Sequence, residues 1–242
     1  MFMPKIKIAH LYYDLMNLYG ENGNVRALKR FIERQDIKCD IHFLTIGDKI
    51  NFEDYDLFYI GMGSENSEML VLEDIKKYKK DIKNAIDKGK HFLITGNATE
   101  LFGTHIVNNQ KETLKALDIF PYYTVHENIR IVGSVIAKTR LIKEKIIGFQ
   151  NRFGVIYGID KPLFRVIEGT GAILNNSKEG YLYKNFYATY LIGPIYIRNP
   201  YLTNYIVKSI MKQKNKKYKL KMLNRTTEIK AYKEYLSNFD IN

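Results

Sequence analysis

The sequence predicts an α/β fold: a doubly wound parallel sheet, joined in its second half by strands of mixed or antiparallel direction. Three observations carry this. Apolar strand-like runs alternate with helix-period segments through residues 5–103. The stretch KHFLITGNATELFG at 90–103 reads as a short buried strand (His91 to Thr95), a sharp turn (Gly96, Asn97) and a helix start, as at the centre of a parallel sheet. From residue 129 onward, strand-like runs follow one another with only short turns between them.

The elements follow in order. KIKIAHLYY (5–13) forms a first strand, and DLMNLYGENGNV is a turn-rich loop ending at Asn24, which is placed to cap a helix. VRALKRFIERQ then puts Val25, Leu28, Phe31 and Ile32 on one face. KCDIHFLTI (38–46) alternates as a second strand, with Cys39 near its start in a packing role. DYDLFYIGMGS (54–64) is a third strand entering a glycine loop, at the carboxyl end where open α/β sheets bind ligands. One helix over 68–88 has Leu70, Leu72, Ile75, Ile82 and Ile86 as its buried stripe.

After the central strand, Asn97 and Glu100 have the spacing of a capping box. The runs 129–139, 144–152, 163–169 and 180–193 are the later strands. Following Gly193-Pro194 and Asn199-Pro200, residues 201–213 form a helix using Leu202, Tyr205, Ile206 and Ile210. A last amphipathic helix starts near Thr227 with Ile229, Tyr232 and Tyr235. This divides the chain into a domain at 1–200 and a helical extension at 201–242 packed on it.

Composition bounds the function. With 242 residues, 45% of them hydrophobic and 26% charged, the chain can bury one full core. There is no long apolar run and residues 1–10 open directly into a strand, so cytoplasmic residence is expected. A single cysteine excludes an internal disulfide framework and any multi-cysteine metal site, and neither a metal nor a cofactor is expected. The net charge of +12 is mostly lysine, densest in KQKNKKYKLK at 212–221. It leaves open a basic module for nucleic acid or anionic lipid. That stretch carries no nucleic-acid-binding motif and reads as a solvated loop.

The chemistry centres on the turn after the central strand. A tight strand-to-helix turn exposes a nucleophile beside a helix N-terminus. Thr95 ends that strand, and its hydroxyl needs a base beside it to act. His91 lies four residues earlier, toward the far end of the strand, and His105 lies beyond the turn. Glu100 reads as a cap, and the GMGS loop (61–64) as a turn whose amides suit a small anion. DLMNLYG offers no side-chain chemistry of its own.

Five stretches together resemble one family: DLMNLYGENGNVRAL (14–28), DLFYIGMGSENSE (56–68), the strand-turn-helix at 91–103, GFQNRFGVIY (148–157) and KEGYLYKNFYATYLIGP (178–194). In order and spacing they look like the CobB/CobQ-type class I glutamine amidotransferases, and within them the GatD subunits of lipid II isoglutaminyl synthase. The resemblance implies a flavodoxin-like three-layer sandwich. It also implies a cysteine nucleophile that attacks the glutamine amide, a histidine base on a late strand and a glycine-rich oxyanion loop. Ammonia would pass to a partner, for GatD the Mur-ligase-like MurT, which amidates the peptidoglycan stem peptide.

Carried over position by position, the chemistry is missing. Where the family has C-G-G-Y-Q, this chain has Thr95, Gly96, Asn97, Ala98, Thr99. The late T-Y-L-H-G-P becomes Thr189, Tyr190, Leu191, Ile192, Gly193, Pro194. At the N-H-G-G-R-T-Y pattern, Val155 stands at the substrate-binding arginine. Gly61 and Gly63 of the oxyanion-type loop survive, with Met62 interrupting the family's glycine run, and Gly96 stands at the turn. Loss of nucleophile, base and substrate clamp together implies a catalytically degenerate, GatD-like subunit for a MurT-like or other amidating partner. The rival expectation is a working amidotransferase, serving lipid II or cobyric-acid-type amidation through a noncanonical site.

Overall fold

The computed structural model describes residues 4–239. Two sheets form it. The first has strands β1 (Lys5–Leu11), β2 (Lys38–Leu44), β3 (Leu57–Ile60) and β4 (His91–Thr95), followed late in the chain by β11 (Tyr181–Tyr183) and β12 (Phe186–Thr189). Their spatial order is β11-β12-β4-β3-β1-β2, parallel throughout except for the β11–β12 hairpin. The second sheet holds β5 (His105–Val107), β6 (Thr113–Lys115), β7 (Tyr123–Lys138), β8 (Ile146–Tyr157), β9 (Phe164–Glu168) and β10 (Lys178–Glu179). It is antiparallel apart from the β5–β7 pair.

The central strands of the first sheet are buried on both faces, which is why they read as continuous apolar runs. Alternation sends Ile6, Ile8, Leu57, Tyr59 and Leu93 to one side, against α1 (Asn22–Glu33) and α5 (Pro200–Lys214). Ala9, Leu11, Phe58, Ile60, Phe92 and Ile94 face the other side, against α2 (Glu65–Ile75) and α3 (Lys79–Asp87). Phe58 stacks on Phe92 at 4.7 Å between ring centroids, and Phe186 meets Phe120 at 4.6 Å and Phe102 at 4.8 Å. This is the three-layer arrangement expected. The short helix α4 (Ile195–Arg198) leads into α5, and α6 (Thr226–Leu236) lays Tyr232 on Ile136 and Ile147 of the second sheet. No helix among the described residues is long and apolar enough to cross a membrane.

Several local expectations are corrected. Asn24 is not an N-cap: it lies inside α1, buried, donating to the Tyr59 hydroxyl at 2.8 Å and accepting from the Tyr196 amide at 2.9 Å. Asn17 accepts from the Asn22 amide instead. The helix over 68–88 is two helices separated by a 3-10 turn at Lys76–Tyr78, and Leu70, assigned to its buried stripe, is exposed. No α-helix follows β4: Gly96–Phe102 is a 3-10 turn with no side-chain cap, so Asn97 and Glu100 form no capping box. Strands one to three are shorter than their apolar runs. Cys39 is buried, and burial pushes its thiol up to about 12, in keeping with a packing role.

Candidate functional site

The end of β4 is where the sheet brings the singled-out residues together. Tyr59 of β3 and Thr95 of β4 point to the same face as α1. There they meet Glu21, the residue just before α1, which is 38 positions from Tyr59 and 74 from Thr95 in sequence. The Thr95 hydroxyl donates to the Glu21 carboxylate. The Tyr59 hydroxyl stands 2.9 Å from both Thr95 Oγ1 and Glu21 Oε2. Asn24 closes the group through its bond to Tyr59. All four side chains are buried, and Thr95 is 0% exposed. Burial pushes Glu21 up to about 7, against the pull of the hydrogen bonds from Thr95 and Tyr59.

The glycine loop after β3 closes over this group. A Cβ on Gly96 would stand 2.4 Å from Met62 Cβ, and one on Gly61 would stand 2.5 Å from the Met16 carbonyl. Gly96 has φ +63°, so the turn needs glycine for its backbone as well as for the approach. The Gly63 amide donates to Asn97 Oδ1 at 3.0 Å, and Asn97 Nδ2 donates to Glu68 Oε2 at 2.9 Å. Asn97 thus occupies the Gly63 amide, leaving it no free hydrogen for another acceptor.

Behind the turn lies a second buried group. His126 Nε2 is 2.8 Å from Glu100 Oε2, and the Tyr190 hydroxyl donates to Glu100 Oε1 at 3.1 Å. Arg152 lies over the Tyr190 ring at 4.3 Å. It donates to Gln150 Oε1 at 2.9 Å and to the carbonyls of Gly154 and, at 2.6 Å, Gly171. A cleft of about 1390 Å³ between α1 and α6, edged by Arg26, Arg30 and Arg198, does not include Thr95 among its lining residues.

Residues 7–200 match the CobB/CobQ-like glutamine amidotransferase domain. The chain belongs to that family. It is 29% identical over 229 residues to the GatD subunit of the glutamine-hydrolysing lipid II isoglutaminyl synthase of Staphylococcus aureus, covering 95% of this chain and 94% of that one. The corresponding subunit of Streptococcus pneumoniae is also 29% identical, over 236 residues, with 96% and 88% covered. A crystal structure described as a glutamine amidotransferase shares the fold, with a TM-score of 0.53 and 13% identity over 84% of this chain and 98% of that one.

As a CobB/CobQ-like chain, the protein places its expected site positions unequally. Thr95, Gly96, Gly61, Met62 and Gly63 do come together at the turn. Ile192 lies three residues past Thr189, the β12 partner of Thr95, and is wholly buried with its amide on the Phe149 carbonyl at 2.7 Å. Val155 is buried on β8 opposite Val125. His91 begins β4, as expected, with Nε2 2.9 Å from Ser209 Oγ, and burial pushes it down to about 3. His105 stacks on Tyr123 at 4.8 Å, away from Thr95 in the second sheet. Glu21 was not singled out in the sequence, since it sits in a loop whose residues are all explained by turn formation.

Glu21 carries a testable pH dependence. Its folded pKa is raised, so the neutral acid is the form the fold prefers. That contribution is fully present below about 4.5 and is lost as pH rises through about 7. The stability of Glu21→Gln relative to the parent should therefore rise by roughly 2–3 kcal/mol between pH 5 and pH 8. Urea melts of both proteins across that range check it. A constant difference would mean that Glu21 titrates normally.

Proposed function

We propose that this chain is a GatD-like subunit that has kept the amidotransferase fold, lost glutamine hydrolysis, and stabilises or regulates a Mur-ligase-like partner that amidates the lipid II stem peptide. The observation that carries the reading is the state of Thr95. At the position of the family's cysteine, a buried hydroxyl is committed to Glu21 and Tyr59, with Met62 packed over the turn. The apolar Ile192 replaces the base, and Val155 replaces the clamp. None of the three can deprotonate a nucleophile or hold the amino acid part of glutamine. The match over nearly all of two GatD subunits supports the assignment of partner and substrate.

The experiment is co-expression with a MurT-like ligase from the same genome. The pair should co-purify and amidate lipid II with ammonium as donor. With glutamine as donor it should not. Recovery of this chain only as a free monomer would overturn the partner assignment. Glutamine-dependent amidation would overturn the loss of hydrolysis. A second reading has one observation in its favour: Thr95 and Glu21 stand as a hydroxyl beside a carboxylate of suitable acidity, the arrangement of an activated nucleophile. A basic module for nucleic acid or lipid has less support. Lys214 and Lys221 of the 212–221 stretch are paired with Asp56 and Asp36.

A further inference from the structure

Glu68, Glu100 and His126 converge in the interior from three separate elements: α2, the 3-10 turn after β4, and β7 of the second sheet. Each can offer one ligand atom, and these atoms lie within 4.8 Å of one another. All three side chains are buried, with Glu68 at 0% and Glu100 at 1% exposure. Asn97 serves Glu68 Oε2, and Tyr190 and His126 serve Glu100. Glu68 Oε1, by contrast, has no hydrogen-bond partner although it is sealed from solvent. Such an oxygen forfeits its hydration without replacement. A second carboxylate close by in the same dry space makes the cost larger.

We propose that Glu68, Glu100 and His126 form a binding site for one divalent transition-metal cation, which takes up the free Glu68 oxygen and joins the former nucleophile turn to the second sheet. Two carboxylate oxygens and one imidazole nitrogen suit zinc or manganese. Hydrogen bonds from Asn97 and Tyr190 to the remaining carboxylate oxygens orient the ligands as neighbours of a metal site do. Gly154 shapes the wall. A Cβ there would overlap Glu100 Oε1 and stand 2.6 Å from the Tyr190 hydroxyl, so only glycine lets the β8 backbone come this close. The lone cysteine excluded thiolate clusters, and an oxygen-and-imidazole set is outside that exclusion. The site is independent of whether Thr95 is active.

The test uses untagged full-length protein, stripped with a chelator and titrated with zinc chloride or manganese chloride by calorimetry, with metal content measured on the protein as purified. The expected result is one equivalent bound per chain and a higher melting temperature on loading. Glu68→Gln and His126→Gln should each weaken binding by more than the roughly 10–100-fold that losing a hydrogen-bond partner of a ligand costs. Glu68→Gln keeps an acceptor for Asn97, and its circular dichroism reports folding separately from binding. No binding up to millimolar metal would overturn the proposal. So would binding that both substitutions leave unchanged.

Discussion

Incubated with glutamine, the purified chain should release glutamate no faster than glutamine decomposes in buffer, and Thr95→Ala should leave that rate unchanged. Where nucleophile and base act as a unit, removing either costs on the order of a millionfold, and on the proposed reading Ile192 stands where the family has its base. Glu21 does not repair the loss. Its carboxylate reaches Thr95 Oγ1, but attack requires the amide carbon to come within about 3–3.5 Å of that oxygen. Thr95 has no exposed surface and the Met62 side chain covers Gly96. Thr95→Cys alone should therefore also stay inactive, because a thiol at that position still lacks a histidine and an opening. A coupled glutamate dehydrogenase assay decides the matter. Turnover that Thr95→Ala or Glu21→Gln abolishes would establish the hydroxyl–carboxylate pair as a working site.

Much of the fold was legible because burial on two faces leaves a plain trace. β4 occupies His91–Thr95, the residues its apolar run predicts, and the β7–β8 and β11–β12 pairs fall where aromatic and β-branched residues cluster. The errors lie where long-range contacts override local chemistry. Asn97 and Glu100 have the spacing of a cap, but Gly63 and Glu68 claim the first and His126 and Tyr190 the second. Asn24 precedes an apolar periodic run, as a cap should, yet it bonds across the core to Tyr59 and Tyr196. Leu70 is an error of phase: it lies two residues from Leu72 in α2, about 200° around the helix, so with Val71, Leu72 and Ile75 on the core it faces outward.

The turn at Thr95 stood out in the sequence, and the groups that meet it did not. That Glu21 answers Thr95, and that Glu68 and His126 gather around Glu100, depends on a chain folding back across both sheets. No spacing in the sequence carries that information. The glutamate in YGENGN is surrounded by residues that each make sense in a turn, so nothing local sets it apart.

Gly96→Ala should be among the most damaging single substitutions in the chain, and its size measures how tightly the old pocket is closed. Two costs combine. A residue with a Cβ at φ +63° loses about 1–2 kcal/mol, and its Cβ would stand 2.4 Å from Met62 Cβ, adding about 1–3 kcal/mol of overpacking. A total near 3 kcal/mol or more is a large part of an ordinary domain's stability. Gly133→Ala is the control: nothing lies within 4 Å of the added Cβ and no positive φ is involved. It should change stability by less than about 0.5 kcal/mol. Met62→Gly, which removes the Cβ that an added side chain at 96 would strike, then separates the two costs in a double-mutant cycle. It should recover the overlap, giving a coupling of about 1–2 kcal/mol, and leave the backbone cost. Chemical denaturation of the four proteins supplies the numbers. Additivity between positions 62 and 96 would mean that the methionine does not press on the turn, and a turn left open to glutamine would remove the steric half of the case against hydrolysis.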